Sequence, residues 1–258
     1  MLNNQSFIPL LLSLIAGMST LIGAFIVFFS KSQNKKLITF ALSFSAGVMI
    51  TVSFTDLFAS AEETLTKHNG NLNGVLYTLL FLIIGAVMAL LIDKFIPDNS
   101  PNIKGGKGNK LYRVGFVSMI ALMIHNFPEG VATFVSGYEN TTLGISIAIA
   151  IALHNIPEGI SIAMPIYYST QSKSKAFKYT LLSGLAEPIG ALLAFLFLRP
   201  FINDIILAIT FAIVAGIMLY ISFAELIPTA RQYGYSKIYV LSVFLGICII
   251  PLSHIYVH

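Results

Sequence analysis

Eight long apolar stretches divide this chain, at residues 7–29, 37–58, 74–93, 114–136, 143–166, 178–198, 205–227 and 237–254. A helix needs about 20 apolar residues to cross the hydrocarbon of a bilayer. Lipid accepts only segments whose backbone N–H and C=O groups are satisfied internally, so each stretch is expected to be a helix. Only 10% of the residues are charged and 56% are hydrophobic, whereas soluble domains carry roughly 25% charged residues. The expected fold is therefore all-α: a polytopic membrane protein, with residues 1–258 forming one eight-helix transmembrane domain. The first run has no basic stretch before it and no clear cleavage site, so it reads as a retained helix.

The basic residues orient this bundle. Counting crossings, Lys31, Lys35, Lys36, Lys94, Lys104, Lys107, Lys110, Arg113, Lys173, Lys175, Lys178, Arg231 and Lys237 fall on one side, and only Lys67 and Arg199 on the other. The positive-inside rule makes the larger set cytoplasmic, which leaves both termini outside. A miscounted helix would invert every later loop and destroy the split. Residues 94–113 form the one sizeable cytoplasmic loop, polar and rich in Gly and Pro, where contact with lipid headgroups is an alternative to a solvated linker. The formal charge of +4 is spread over short loops without a basic stripe, so no nucleic acid is expected as a partner. A single cysteine, Cys248, excludes an intrachain disulfide and a thiolate metal cluster.

Segments four and five carry a duplicated string. His125-Asn126-Phe127-Pro128-Glu129-Gly130 recurs 29 positions later as His154-Asn155-Ile156-Pro157-Glu158-Gly159. One buried His or Glu is an ordinary packing or helix-pairing feature. Four ionisable groups in two copies are different, because each uncompensated charge in hydrocarbon costs several kcal/mol. Residues at i and i+4 share a helix face, which pairs His125 with Glu129 and His154 with Glu158. Each His lies near the middle of its segment. A short connection at roughly 137–142 makes the two helices antiparallel neighbours, so the pairs can meet at one depth. Pro128 and Pro157 remove the hydrogen-bond donors that the carbonyls of Ile124 and Leu153 would use, and are expected to kink this central pair.

Imidazole with carboxylate and no thiolate suits borderline divalent ions such as Zn²⁺, Fe²⁺, Mn²⁺ or Co²⁺. Asn126 and Asn155 sit about 100° round the helix from their histidines, placed either to ligate a second ion or to support the first ligands. Glu187, followed by Pro188 in the middle of segment six, either faces the same site or pairs with a polar neighbour. Asp56 near the outer end of segment two, with Glu62 and Glu63 in the outer loop after it, either gathers cations or sits in headgroup water. Glu225, near the cytoplasmic end of segment seven, is either an inner relay or a snorkelling acid. His68, His254 and His258 read as solvated bystanders, and no Met ladder suited to Cu⁺ is present.

These residues resemble the ZIP (zinc- and iron-regulated transporter-like) family, and most of all its compact bacterial zinc-uptake branch. The resemblance covers essentially the whole chain and is carried by the two strings at 125–130 and 154–159. It implies a two-metal centre at His125, Asn126, Glu129, His154, Asn155 and Glu158, with Glu187 from segment six and the two central glutamates able to bridge. It adds Asp56 on the outer half and Glu225 on the inner half of a transport path. It also implies a body in which segments one, four, five and six move against the rest. Many eukaryotic members have a His-rich stretch between segments three and four, and residues 94–113 have none.

The function so implied is import of divalent metal, zinc first, with Fe²⁺, Mn²⁺, Co²⁺ or Cd²⁺ as further cargo, across a bacterial inner membrane and with no cofactor. A metal channel or an efflux protein stays open on these residues, as does assembly as a homodimer. A zinc protease would place a general base beside its ligands in His-Glu-x-x-His. That string is absent, so no enzyme is expected.

Overall fold

The computed structural model describes residues 4–29, 34–95, 106–198, 201 and 203–254. Eight long helices follow in order: α1 (Asn4–Phe28), α2 (Lys35–Asn69), α3 (Asn71–Phe95), α4 (Gly106–Glu139), α5 (Thr141–Thr170), α6 (Lys173–Leu193), α7 (Asp204–Arg231) and α8 (Ser236–His254). A π-helical turn lies within α2 at Ser53–Phe58, another continues α6 at Ala194–Leu198, and a third lies within α7 at Ser222–Leu226. Among the described residues, seven helices are long and apolar enough to cross a membrane. The last one, with its apolar stretch Ser236–Leu252, is shorter than that.

Local chemistry explains where the helices begin and end. Asn34, Ser172 and Asn203 cap α2, α6 and α7 by accepting backbone N–H groups of the first turn. Gly70 and Gly234 take positive φ, 79° each, between α2 and α3 and between α7 and α8. The helices also extend past the apolar runs. Residues 59–69, expected as an outer loop, continue α2, because Ala-Ser-Ala-Glu-Glu-Thr-Leu is a good helix-forming string even where hydropathy ends. At 35 residues α2 is roughly 52 Å long, against about 30 Å of hydrocarbon. The connection expected over 137–142 reduces to Asn140, whose side chain accepts the Thr142 N–H. In the loop expected over 94–113, Lys94 and Phe95 end α3 and helix α4 begins at Gly106, while 96–105 lie outside the described residues. Both α4 and α5 run as helix on either side of Pro128 and Pro157.

Packing divides the helices into two groups. Every pair among α1, α4, α5 and α6 is in contact, whereas α2 packs on α8 and α3 on α7. The seams are made by small residues that let backbones touch. A Cβ added to Gly85 would fall on the Ile213 carbonyl oxygen, and one on Gly216 on that of Leu82, which closes α3 on α7. The large apolar side chains Leu76, Leu80, Ile83 and Val87 of α3 remain exposed, as expected for a lipid-facing helix.

One end of the bundle is basic. The ammonium of Lys36 lies 5.9 Å from the ring centre of Tyr235, that of Lys173 lies 5.8 Å from Phe28, and the Arg231 guanidinium lies 5.9 Å from Tyr239. These contacts bring together the end of α1 and the starts of α2, α6 and α8, with the end of α7. Arg113 at the start of α4 pairs with Asp93 at the end of α3, so those termini lie at the same end. Successive helices therefore alternate in direction.

The α3–α7 seam gives a direct test. Gly216→Val is expected to destabilise the protein by about 1–3 kcal/mol, the usual range for overpacking. The measurement is the thermal midpoint in detergent, with Ile83→Val on the exposed face of α3 as the near-neutral comparison.

Candidate metal centre

The two copies of the repeated string meet because α4 and α5 are antiparallel and joined at Asn140. Glycine sets how closely the surrounding helices approach. A Cβ on Gly130 would strike the Glu187 carbonyl oxygen, and one on Gly190 that of Phe127, so α4 and α6 touch backbone to backbone at the level of the site. Gly159 meets the Thr20 carbonyl in the same way, which brings α1 against α5.

His125, Asn126, Glu129, His154, Asn155, Glu158 and Glu187 are all buried, none more than 5% exposed. The expected i, i+4 contact is present on α4, where His125 Nε2 lies 3.2 Å from Glu129 Oε1. The remaining contacts cross between the helices. His154 Nε2 lies 2.9 Å from the same Glu129 oxygen, and His125 Nε2 lies 3.3 Å from Glu158 Oε1. One carboxylate oxygen thus serves both imidazoles. Among the described residues, His125, Glu129 and His154 form a group whose ligand atoms all lie within 4.8 Å of one another. Such a group can close on a single cation.

The amides occupy a second layer. Asn126 donates through Nδ2 to the Ser183 carbonyl at 3.1 Å, tying α4 to α6. Asn155 donates to the Ala16 carbonyl at 3.0 Å and to Glu187 Oε2 at 2.9 Å, tying α5 to α1 and α6. Glu187 is buried and pairs with the amide of Asn155. The Oδ1 atoms of both asparagines, Glu129 Oε2, both Glu158 oxygens and Glu187 Oε1 are buried without a hydrogen-bond partner. Buried oxygens of this kind are costly unless something engages them. A set of carboxylate and amide oxygens around two imidazoles is the donor chemistry that a borderline dication engages.

A cavity of about 920 Å³ leads to the centre from the end opposite the basic one. Its lining runs from Asn140 and Thr142 at the exposed mouth, past Ser136 and Ser146, to Glu129 and His154 at the bottom. Asp56 and Glu63 line it from α2. Asp56 is half-buried in the π-turn and accepts a hydrogen bond from Thr55 Oγ1 at 2.6 Å, so it belongs to the cavity wall. Below the centre the packing is tight: Val117, Ser118, Ala121 and Leu122 of α4 are at most 2% exposed.

Glu225 stands apart from the His125, Glu129 and His154 group. It is buried and ion-paired with Arg113, Nη1 to Oε1 at 3.1 Å. The other guanidinium nitrogen, Nη2, reaches Asp93 Oδ1 at 2.7 Å and the Asp93 carbonyl at 2.7 Å, and Tyr220 donates to Asp93 Oδ2 at 2.9 Å. Sequence pattern alone singles out Glu225 but not its partners Arg113 and Asp93. Asp93 and Arg113 stand at segment ends, where charged residues ordinarily meet headgroups. A partial signal was available, in that Asp93 is the one acid inside an otherwise apolar stretch.

Fold and site together define a polytopic all-α membrane protein with a buried imidazole–carboxylate centre reached from one side. The family model described as ZIP Zinc transporter matches residues 98–253. The chain is 44% identical over 262 residues to a protein named zinc transporter ZupT of Oceanobacillus iheyensis, covering 97% of this chain and 98% of that one. It is also 44% identical to the ZupT of Streptococcus mutans, with 98% of each chain covered, and 47% identical to that of Chlorobaculum parvum, with 86% and 87% covered. The chain belongs to the ZIP family.

The cleft makes a prediction that does not depend on cargo. With Cys248 replaced by Ser, a cysteine at Ser146 is expected to react readily with a water-soluble maleimide added from the cleft side. A cysteine at Ser118, below the centre, is expected to react slowly from that side. Modification rates in sealed vesicles check both.

Proposed function

We propose that this protein carries zinc and related divalent cations inward across the bacterial cytoplasmic membrane. His125, Glu129, His154 and Glu158 would form the transported ion's first ligands, with Asn126, Asn155 and Glu187 positioned for a second ion beside it. The observation that carries this reading is Glu129: one buried carboxylate oxygen approached by two imidazoles from different helices, at the bottom of an open cleft. The named relatives are zinc transporters, and the donor set suits Zn²⁺ and also Fe²⁺, Mn²⁺, Co²⁺ or Cd²⁺.

In this reading the basic end is cytoplasmic, by the positive-inside rule. All eight helices cross, both termini are outside, and residues 1–258 act as one domain with 94–113 as its inner connection. The eighth crossing is supported by α8, whose 19 residues span about 28 Å and pack along α2. Kinks at Pro128 and Pro157 would open carbonyls towards the ion. Lys35, Lys36, Lys173 and Lys175 stand where anionic headgroups would meet them.

An ion entering from outside meets Asp56 and Glu63, loses water in the cleft and exchanges it for imidazole and carboxylate. The first shell must offset dehydration and still release its cargo. The membrane potential favours the inward direction, since two charges crossing 100 mV gain about 4.6 kcal/mol. A cleft that ends at the centre above the buried Val117, Ser118, Ala121 and Leu122 favours alternating access over a continuous pore. Asp56→Asn would slow uptake at low zinc by weakening attraction at the mouth.

Glu129→Ala is expected to abolish zinc uptake into proteoliposomes, because both imidazoles lose their shared carboxylate. Uptake at the parent rate would overturn the assignment of the centre.

A further inference from the structure

We infer that Arg113, gripping Asp93 and Glu225, is an ionic latch that holds the basic end of the bundle shut while the opposite cleft is open. The position of the three residues carries the argument. Arg113 is on α4, one of the four mutually packed helices that bear the centre. Asp93 and Glu225 are on α3 and α7, in the other group. The cluster therefore crosses the boundary along which the cleft opens at the far end, where α2 and α7 face α4 and α5. One side of that boundary is a cavity and the other is an ion pair.

The chemistry suits a latch. A guanidinium is a rigid planar fork that can hold two acceptors at once, which a lysine ammonium cannot reproduce. Here Nη2 binds the Asp93 carboxylate and its carbonyl, Nη1 binds Glu225, and Tyr220 steadies Asp93 from α7. All three charged side chains are at least four-fifths buried, with exposures of 17% for Arg113, 17% for Asp93 and 9% for Glu225. Separating them would strand a charge away from water, so the contact is held firmly until the groups part together. Between this cluster and His125 lie 12 positions of α4, roughly 18 Å, packed shut by Val117, Ser118, Ala121 and Leu122. A cation moving from the centre towards the basic end would meet these buried residues and then Arg113, and parting the two helix groups there means opening Arg113.

The latch rests on the transport reading only for its consequence, metal release, so its test reads access instead. In the full chain with Cys248 replaced by Ser, Ser118→Cys is introduced and a membrane-impermeant maleimide is applied from the basic side of oriented vesicles. Slow modification is expected in this parent. The variant D93N/R113Q/E225Q removes all three charges without stranding one. It is expected to raise the rate roughly tenfold or more as the population shifts towards the open end. An unchanged rate, with the same elution profile and the same zinc binding at the centre, overturns the latch. Should the triple variant not fold, Arg113→Lys decides: it keeps the charge but loses the fork, so a raised rate supports the latch and an unchanged one overturns it. A raised rate in the variant, with a parent that takes up no zinc, would count against the transport reading alone and leave the latch standing.

Discussion

Charge cannot be left unpaired where water is absent, and the structure is arranged around that constraint. Glu129 illustrates how it is met. Its Oε1 lies 3.2 Å from His125 Nε2 and 2.9 Å from His154 Nε2, so one acid is answered by bases from two helices. Neither helix alone could supply this arrangement. The i, i+4 spacing yields one contact on α4, and the rest exist only because α5 runs back alongside it. The centre is thus a property of the helix pair, and any motion that separates α4 from α5 would dismantle it.

Glycine makes that pairing possible on the other flanks. Polar side chains as short as Asn and Glu can join four helices only if the backbones nearly touch. Gly130 and Gly190 bring α4 and α6 together, and Gly159 brings α5 to α1. Asn155 can then reach Ala16 on one neighbour and Glu187 on another. In lipid the hydrophobic effect gives no reason for helices to associate, so close packing and interhelical hydrogen bonds carry the association. Here the residues that permit close packing and those that hydrogen-bond occupy the same level of α1, α4, α5 and α6. This part of the bundle is therefore expected to behave as one body.

Much of this was legible in the order of residues. Apolar runs mark where the helices lie, because every backbone group in lipid must be bonded internally. The repeated His-Asn-x-Pro-Glu-Gly strings mark the candidate centre, because four ionisable groups and two amides in mid-span are costly unless they are compensated. Other features were not legible. Helix α2 continues through Ala59–Asn69, since hydropathy reports solvent and not backbone conformation. The exchange of partners between His125 and Glu158 depends on the rotation of α4 against α5, which spacing within either helix does not contain. Arg113 and Glu225 are 112 positions apart, and each alone looks like a headgroup residue. Local pattern identifies which groups must be compensated; only the packing identifies what compensates them.

The two ends of the bundle meet the same constraint by opposite means. At the cleft end, Asp56 and Glu63 line an open cavity, where acids can attract a cation without being buried for it. At the basic end, Asp93 and Glu225 are buried and already answered by a guanidinium. The acids at the mouth border open space, whereas those at the far end are enclosed and ion-paired with a guanidinium. This difference gives the structure a direction. The cavity presents the half-buried Asp56 and the exposed Glu63, and below His125 stand the buried Val117, Ser118, Ala121 and Leu122 and then a guanidinium. In the proposed transport cycle a cation would leave the centre inward only as the α1, α4, α5, α6 group parts from its neighbours. Ser45, whose hydroxyl donates to the Pro157 carbonyl at 2.7 Å, joins those two groups at the depth of the site. Such a parting would have to break or turn about this hydrogen bond as well as the ion pair at the basic end.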